Sequence, residues 1–183
     1  SIFITSTIPK EGKTFVAVNL ASTIALSGKK VLLIGLDVRN PKIDRYVQLP
    51  SKGLTNYLSK KDQDIHDYIV KLDGFDDFYI LPSGVIPPNP VDLLMNGRID
   101  AMFEQLKKEY DYIIVDEFQD TSPIQVAILD KIKRAQKFFV VGDPQQSIYF
   151  FRGARVRVFD EMQKKIVESG GDMSLLNKNY RSQ

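Results

Sequence analysis

An α/β fold, with a mainly parallel sheet covered by helices on both faces, is what this sequence predicts, and three features predict it. Short runs rich in Val, Ile and Leu alternate with stretches of helical periodicity. Those short runs are apolar almost throughout, as strands buried on both faces must be. Three of them close on acidic residues, at Asp37, Asp116 and Gly142-Asp143. Ligands of open parallel sheets bind beyond the carboxyl ends of the strands.

Residues 2–5 form the first strand. A helix follows, with Phe15, Val16, Val18, Leu20, Ala21 and Ile24 as its apolar positions, and Gly28 ends it. Residues 31–36 make a second buried strand. Residues 53–58 and 65–72 read as short helices, and residues 78–81 as a strand stopped by Pro82. Pro87-Pro88-Asn89-Pro90 forces an irregular loop before a helix from Val91. Residues 99–110 are an amphipathic helix and residues 112–115 a strand closing on Asp116. A helix at 124–132, a strand at 138–141 and a helix at 154–167 complete the chain.

Composition narrows the function. Hydrophobic residues make up 43% and charged residues 26%, ordinary for a soluble globular chain. A net charge of +2 gives no global nucleic-acid or membrane-surface signature. With no cysteine there are no disulfides or thiolate metal sites, which fits a cytoplasmic protein. No run approaches the ~18 apolar residues of a membrane span. His66, the single histidine, lies in Asp64-Ile65-His66-Asp67 and reads as a solvated helix residue rather than a catalytic one.

The chemistry concentrates at Lys10-Glu11-Gly12-Lys13-Thr14-Phe15, between the first strand and the first helix. A tight turn at a glycine followed by a helix N-terminus is a phosphate-binding arrangement. Lys13 is placed to reach the β- and γ-phosphates of a nucleotide such as ATP, and the Thr14 hydroxyl to hold Mg2+. The usual pattern has a glycine five residues before Gly12, where this chain has Thr7. Loop, helix and acidic strand ends together specify a three-layer P-loop NTPase fold, as a single domain over residues 1–183.

Two resemblances share the chain. Residues 1 to about 116 resemble the cytoplasmic P-loop domain of bacterial tyrosine kinases, relatives of the MinD/ParA ATPases. The likeness rests on Gly12-Lys13-Thr14, Gly35-Leu36-Asp37-Val38-Arg39-Asn40-Pro41, Gly53-Leu54-Thr55-Asn56-Tyr57-Leu58, Leu81-Pro82-Ser83-Gly84 and Pro87-Pro88-Asn89-Pro90. From about Tyr110 onward the chain resembles UvrD/Rep-type superfamily 1 DNA helicases. Asp116-Glu117-Phe118-Gln119-Asp120 looks like motif II, Val141-Gly142-Asp143-Pro144-Gln145-Gln146 like motif III, and Asn179-Tyr180-Arg181-Ser182 like motif IV. The strand ending at Asp116 suits both families. The resemblances imply a chimera, recombined or engineered, joined at that common strand. They divide the domain into a kinase-like part, 1–116, and a helicase-like part, 117–183, with 172–183 an edge strand or a frayed tail.

The resemblances also imply roles. Asp116 would hold Mg2+, with Asp37 as a second metal candidate. The kinase-type acidic segment has an Asp where this chain has Gly35. Glu117 would activate the attacking water, Gln146 would sense the γ-phosphate, and Arg152 and Arg181 would approach it. Tyr149 and Phe151 stack on single-stranded DNA in the helicases. The expected activity is Mg-ATP binding with weak or no hydrolysis. The alternatives are a helicase-like ATPase motor with single-stranded-DNA affinity, a tyrosine kinase and a nucleotide-free scaffold. Strand order separates them. Kinase order puts the strand ending at Asp116 next to the first strand. Helicase order inserts the strand at 138–141 between them and brings Glu117 into catalytic position. The larger N-terminal part favours kinase order.

Overall fold

The computed structural model describes residues 2–6, 12–35, 43, 47–60, 62–85, 97–116, 138–142, 164, 167–168 and 170–176. Its strands are β1 (Ile2–Ser6), β2 (Val31–Gly35), β3 (Val70–Lys71), β4 (Phe78–Leu81), β5 (Tyr112–Asp116), β6 (Phe138–Gly142) and β7 (Asp172–Leu176). They form one sheet in the order β3-β4-β2-β5-β6-β1-β7. Every pairing is parallel except that of β3 with β4. The described helices are α1 (Lys13–Leu26), α2 (Leu54–Ser59) and α3 (Arg98–Glu109), with a 3-10 turn at Ile65–Tyr68.

Alternation along the strands builds a core on each face. Val31, Leu33, Phe78, Ile80 and Ile114 pack under α1. Leu32, Ile34, Leu81, Ile113 and Val115 pack against α2 and α3. In α3 the buried residues are Ile99, Met102, Phe103 and Leu106, a spacing that lines up one helical face. Asp100 in its first turn and Lys107 and Lys108 in its last complement the helix dipole.

The first helix differs from its sequence reading. The residues it buries against the sheet are Lys13, Thr14, Ala17, Ala21 and Ala25, while Phe15 is 52% exposed. Alanines at every fourth position let the helix axis lie close to the sheet, and the larger Val16, Val18, Leu20 and Ile24 fill the flanks. Gly28, at φ 75°, ends the helix as expected, its N–H donating to the Ala25 carbonyl at 2.9 Å.

Two further expectations change. Residues 65–72 are a single 3-10 turn followed by a short strand, because Val70 and Lys71 pair with Ile80 and Tyr79. The sheet also has helicase order, not kinase order: β6 lies between β5 and β1. Phe138-Phe139-Val140-Val141 is apolar along its whole length and suits a strand paired on both sides. The edge beyond β1 goes to β7, whose Asp172 and Met173 are exposed. The predicted loop at 87–90, the helix from Val91 and the helix at 124–132 lie outside the described residues. So does the helix at 154–167, apart from Lys164 and Val167, which are helical.

Candidate nucleotide site at the carboxyl edge of the sheet

Gly12 precedes α1 with φ 93°, in the left-handed region that a side chain strains. The turn it makes sets the helix start, where the Val16 N–H donates to the Gly12 carbonyl at 2.9 Å. A helix N-terminus carries the positive end of the macrodipole and favours an anion. Lys13 and Thr14 follow at once and are each only 4% exposed. Lys13 stands one turn before Ala17 on the sheet-facing stripe, so the stem of its side chain starts against the sheet.

Asp116 is the last residue of β5 and is 1% exposed. It falls two residues after Ile114, on the same face of the sheet as α1. In the parallel register Gly35 is its partner on β2. Two strand spacings, about 9.6 Å, separate β5 from β1. Thus Gly12, Lys13, Thr14 and Asp116 share one edge and one face. A cationic amine, a hydroxyl and a carboxylate are the donor set that a magnesium-bound polyphosphate needs, and a glycine turn leaves the backbone open to close approach. The residues fit that group. Phe15 stands beside the turn, its Cβ 3.9 Å from where a Cβ on Gly12 would lie. Lys10, Glu11, Asp37, Glu117, Gln146, Tyr149, Phe151, Arg152 and Arg181 lie outside the described residues.

The profile of the UvrD/REP helicase N-terminal domain matches residues 44–167. The chain belongs to the UvrD/REP helicase N-terminal domain family. It is also homologous to the P-loop domain of bacterial tyrosine kinases. It is 37% identical over 129 residues to the tyrosine-protein kinase CpsD of Streptococcus pneumoniae, covering 69% of this chain and 54% of that one. The chain thus spans about half the length of that curated relative. The kinase domain of the Escherichia coli tyrosine kinase ETK superposes with a TM-score of 0.66 at 24% identity, covering 100% of this chain and 70% of that one. The septum site-determining protein MinD of Pyrococcus horikoshii OT3, complexed with Mg-ADP, gives 0.63 at 21% identity, covering 100% and 71%. The likeness to these two structures shows the P-loop NTPase fold.

This UvrD/REP-family chain has a second set of residues at the same edge to which sequence reasoning gave no role. Gly53, Thr55 and Asn56 clasp the segment after β4. The Leu54 N–H donates to the Pro82 carbonyl at 2.8 Å and the Thr55 N–H to the Ser83 carbonyl at 2.9 Å. The Asn56 Oδ1 accepts from the Gly53 N–H at 2.9 Å, and the Thr55 hydroxyl donates to the Val85 carbonyl at 2.8 Å. A Cβ on Gly53 would lie 2.1 Å from the Pro82 oxygen, and one on Gly84 (φ 87°) would lie 2.5 Å from Thr55 Oγ1. The available signal was a glycine right after a strand, in Leu81-Pro82-Ser83-Gly84, matched by a second glycine at a helix start.

His66 lies away from this edge. It sits in the 3-10 turn and is partly exposed, as a solvated residue should be. Its ring nevertheless bridges two carboxylates, Nδ1 to Asp64 Oδ1 and Nε2 to Glu109 Oε2, each at 2.6 Å.

Proposed function

We propose that the chain binds Mg-ATP at the carboxyl edge of its sheet. The observation that carries this reading is the left-handed Gly12 leading into a buried Lys13 and Thr14 on the same edge and face as Asp116. Lys13 neutralises the β- and γ-phosphates, and backbone groups from Lys10 to Phe15 cradle them. Thr14 and Asp116 hold magnesium, with Asp37 as a further ligand. The metal, when bound, offsets the phosphate charge as it redistributes. A cytoplasmic setting belongs to the same reading, since nucleoside triphosphates are supplied there.

Nucleotide titration tests it. Lys13→Ala should weaken binding at least about tenfold, since a charge-assisted contact to phosphate contributes about 1.5–3 kcal/mol. A wild-type chain that binds no nucleotide leaves only the folded-scaffold reading.

Strand order favours a second reading, slow hydrolysis of the bound nucleotide. With β6 between β5 and β1, the sheet has the arrangement in which the residue after Asp116 serves as base. In this proposal Glu117 takes a proton from the attacking water, whose oxygen bonds to the γ-phosphorus as the bond to the β–γ bridging oxygen breaks. Gln146 orients the γ-phosphate, and Arg152 and Arg181 offset its charge. Such chemistry is mostly alignment and charge stabilisation. Glu117→Gln should abolish turnover and leave binding intact. Wild-type protein without turnover is a binding module only.

Single-stranded-DNA affinity through Tyr149 and Phe151 is a weaker proposal. Stacking contributes about 1–3 kcal/mol per base, so Tyr149→Ala should reduce oligo-dT affinity at least about fivefold if it acts. Self-modification as a tyrosine kinase is disfavoured at Tyr57, Tyr68 and Tyr110, which are buried. The chimeric origin of the chain, joined near β5, is also part of this proposal. It accounts for kinase-like residues before Asp116 and helicase-like residues after it in one sheet.

A further inference from the structure

Gly35 ends β2 beside Asp116, and the space at its α-carbon is filled by side chains from outside the strands. A Cβ built on Gly35 would lie 3.0 Å from Ser83 Oγ and 3.1 Å from Ile43 Cδ1. Both contacts are tighter than ordinary van der Waals distance, and Ser83 and Ile43 are buried. Alternation puts position 35 on the face of Val31 and Leu33, and Asp116 on the face of Ile114, in the core beneath α1. The two positions are register partners. A side chain at 35 would therefore stand one strand spacing, ~4.8 Å, from Asp116.

Ile43 offers only the end of a flexible side chain, which can turn away. The Ser83 hydroxyl turns about χ1, but the backbone that carries it, whose nitrogen would lie 3.5 Å from the same Cβ, has no such freedom. Its carbonyl is bonded to the Thr55 N–H, the preceding Pro82 carbonyl to the Leu54 N–H, and the Val85 carbonyl to the Thr55 hydroxyl. The segment meets the helix start at its own Gly84 and at Gly53, at distances that admit no β-carbon on either. Loop and helix start are locked together, so the Ser83 backbone stays beside the slot even as its hydroxyl turns.

We propose that Ser83 plugs the β2 position beside Asp116, so that an uncharged hydroxyl, rather than a side chain of position 35, stands next to the metal side of the nucleotide site. The proposal rests on the Mg-ATP reading for its functional consequence. Two carboxylates one strand spacing apart repel each other and are reconciled by a divalent cation. With Ser83 in the slot the site carries one negative charge fewer, and magnesium contributes less to nucleotide affinity.

A double-mutant cycle tests the plug by itself. Gly35→Ala should lower Tm by about 3–9 °C, the range expected for overpacking in a chain of this size. Adding Ser83→Ala, which removes the near oxygen, should recover at least half of that loss. If Gly35→Ala fails to fold, the double variant should fold. Additive Tm changes, or a double variant no more stable than Gly35→Ala, overturn the proposal. The functional consequence has its own readout, the Mg2+ concentration for half-maximal nucleotide binding. Gly35→Asp in the Ser83→Ala background should lower it about tenfold, the gain a second carboxylate ligand gives. If Gly35→Asp lowers it equally with Ser83 present, the slot is open and the plug is wrong. If no variant binds nucleotide, the Mg-ATP reading fails, while the Tm cycle still decides whether Ser83 fills the slot.

Discussion

The two edges of the sheet are built on different principles. At the carboxyl edge glycines shape the chain: Gly53 and Gly84 bring main chain close to main chain, and Gly12 turns the chain into α1. At the amino edge side chains add to the backbone bonds that the Asp111 and Tyr112 N–H groups donate to the Lys30 carbonyl. The Lys30 ammonium lies 4.8 Å from the centre of the Tyr110 ring and 5.2 Å from that of Tyr79, and these rings meet edge to face at 5.5 Å. Burial pushes the Tyr110 phenol up to about 12, so it stays neutral beside that cation. The Asp111 carboxylate accepts from the Lys30 N–H at 3.0 Å, and His66 ties the 3-10 turn to the end of α3. The contrast teaches where a ligand can enter. Side-chain pairs add to the closure of the amino edge from within, whereas the Gly12 turn opposite leaves backbone available for close approach.

The steepest test of this contrast is Gly53→Ala. Its added carbon would meet the Pro82 oxygen at 2.1 Å, and the segment holding that oxygen is fixed by bonds on either side. Overpacking against backbone that cannot yield should cost about 3 kcal/mol or more. Chemical denaturation measures it, and a loss below about 1 kcal/mol would show that the clasp is soft. Next in size is Asn56→Ala. It leaves the Gly53 N–H without its 2.9 Å acceptor in a part-buried setting, at a cost of about 1–3 kcal/mol. Asn56→Asp keeps an acceptor there and should recover most of the loss.

How much of this was legible in the sequence follows the same division. The P-loop fold could be read because buried parallel strands and the alternating helices leave period and composition signals, as in residues 31–35 and in Ile99, Met102, Phe103 and Leu106. The carboxyl edge was legible in type, since Gly12-Lys13-Thr14 and Asp116 announce themselves by chemistry. Strand order was not. Pairing of β6 with β1 is a contact between residues 2–5 and 139–142, and no local pattern encodes it. The buried stripe of α1 misled for a related reason. Alanine carries little hydrophobic signal, so the reading took in Phe15, Val16 and Ala21 but passed over Ala17 and Ala25, which make the contact with Ala21. The Ser83 plug depends on segments 48 residues apart meeting at a glycine, which only coordinates reveal.

The gentlest test addresses the amino edge and depends on pH. A neutral imidazole has one N–H, yet both His66 nitrogens face carboxylate oxygens at 2.6 Å, so the geometry calls for the doubly protonated ring. The contact with Glu109, then that with Asp64, raises the His66 pKa above its ordinary 6.5. The His66 backbone N–H and then its ring hold Asp64 below the usual carboxylate range, and the ring does the same for Glu109. The signs then fix the window. A histidine whose folded pKa is raised contributes stability fully below 6.5, lost as pH climbs through the folded value. The carboxylates contribute above their unfolded values and lose their share as pH falls through the depressed folded ones. The stability difference between wild type and His66→Gln should therefore be largest near pH 5–6, shrinking towards pH 8 and again towards pH 3. Denaturant titrations across that range measure it, and proton resonances of the single imidazole give the folded pKa directly. Because the ring is 40% exposed, solvent screens the effect, and it should weaken further with added salt. A difference that does not change with pH would mean that the bridge contributes packing alone, leaving the Lys30 cage to hold the amino edge.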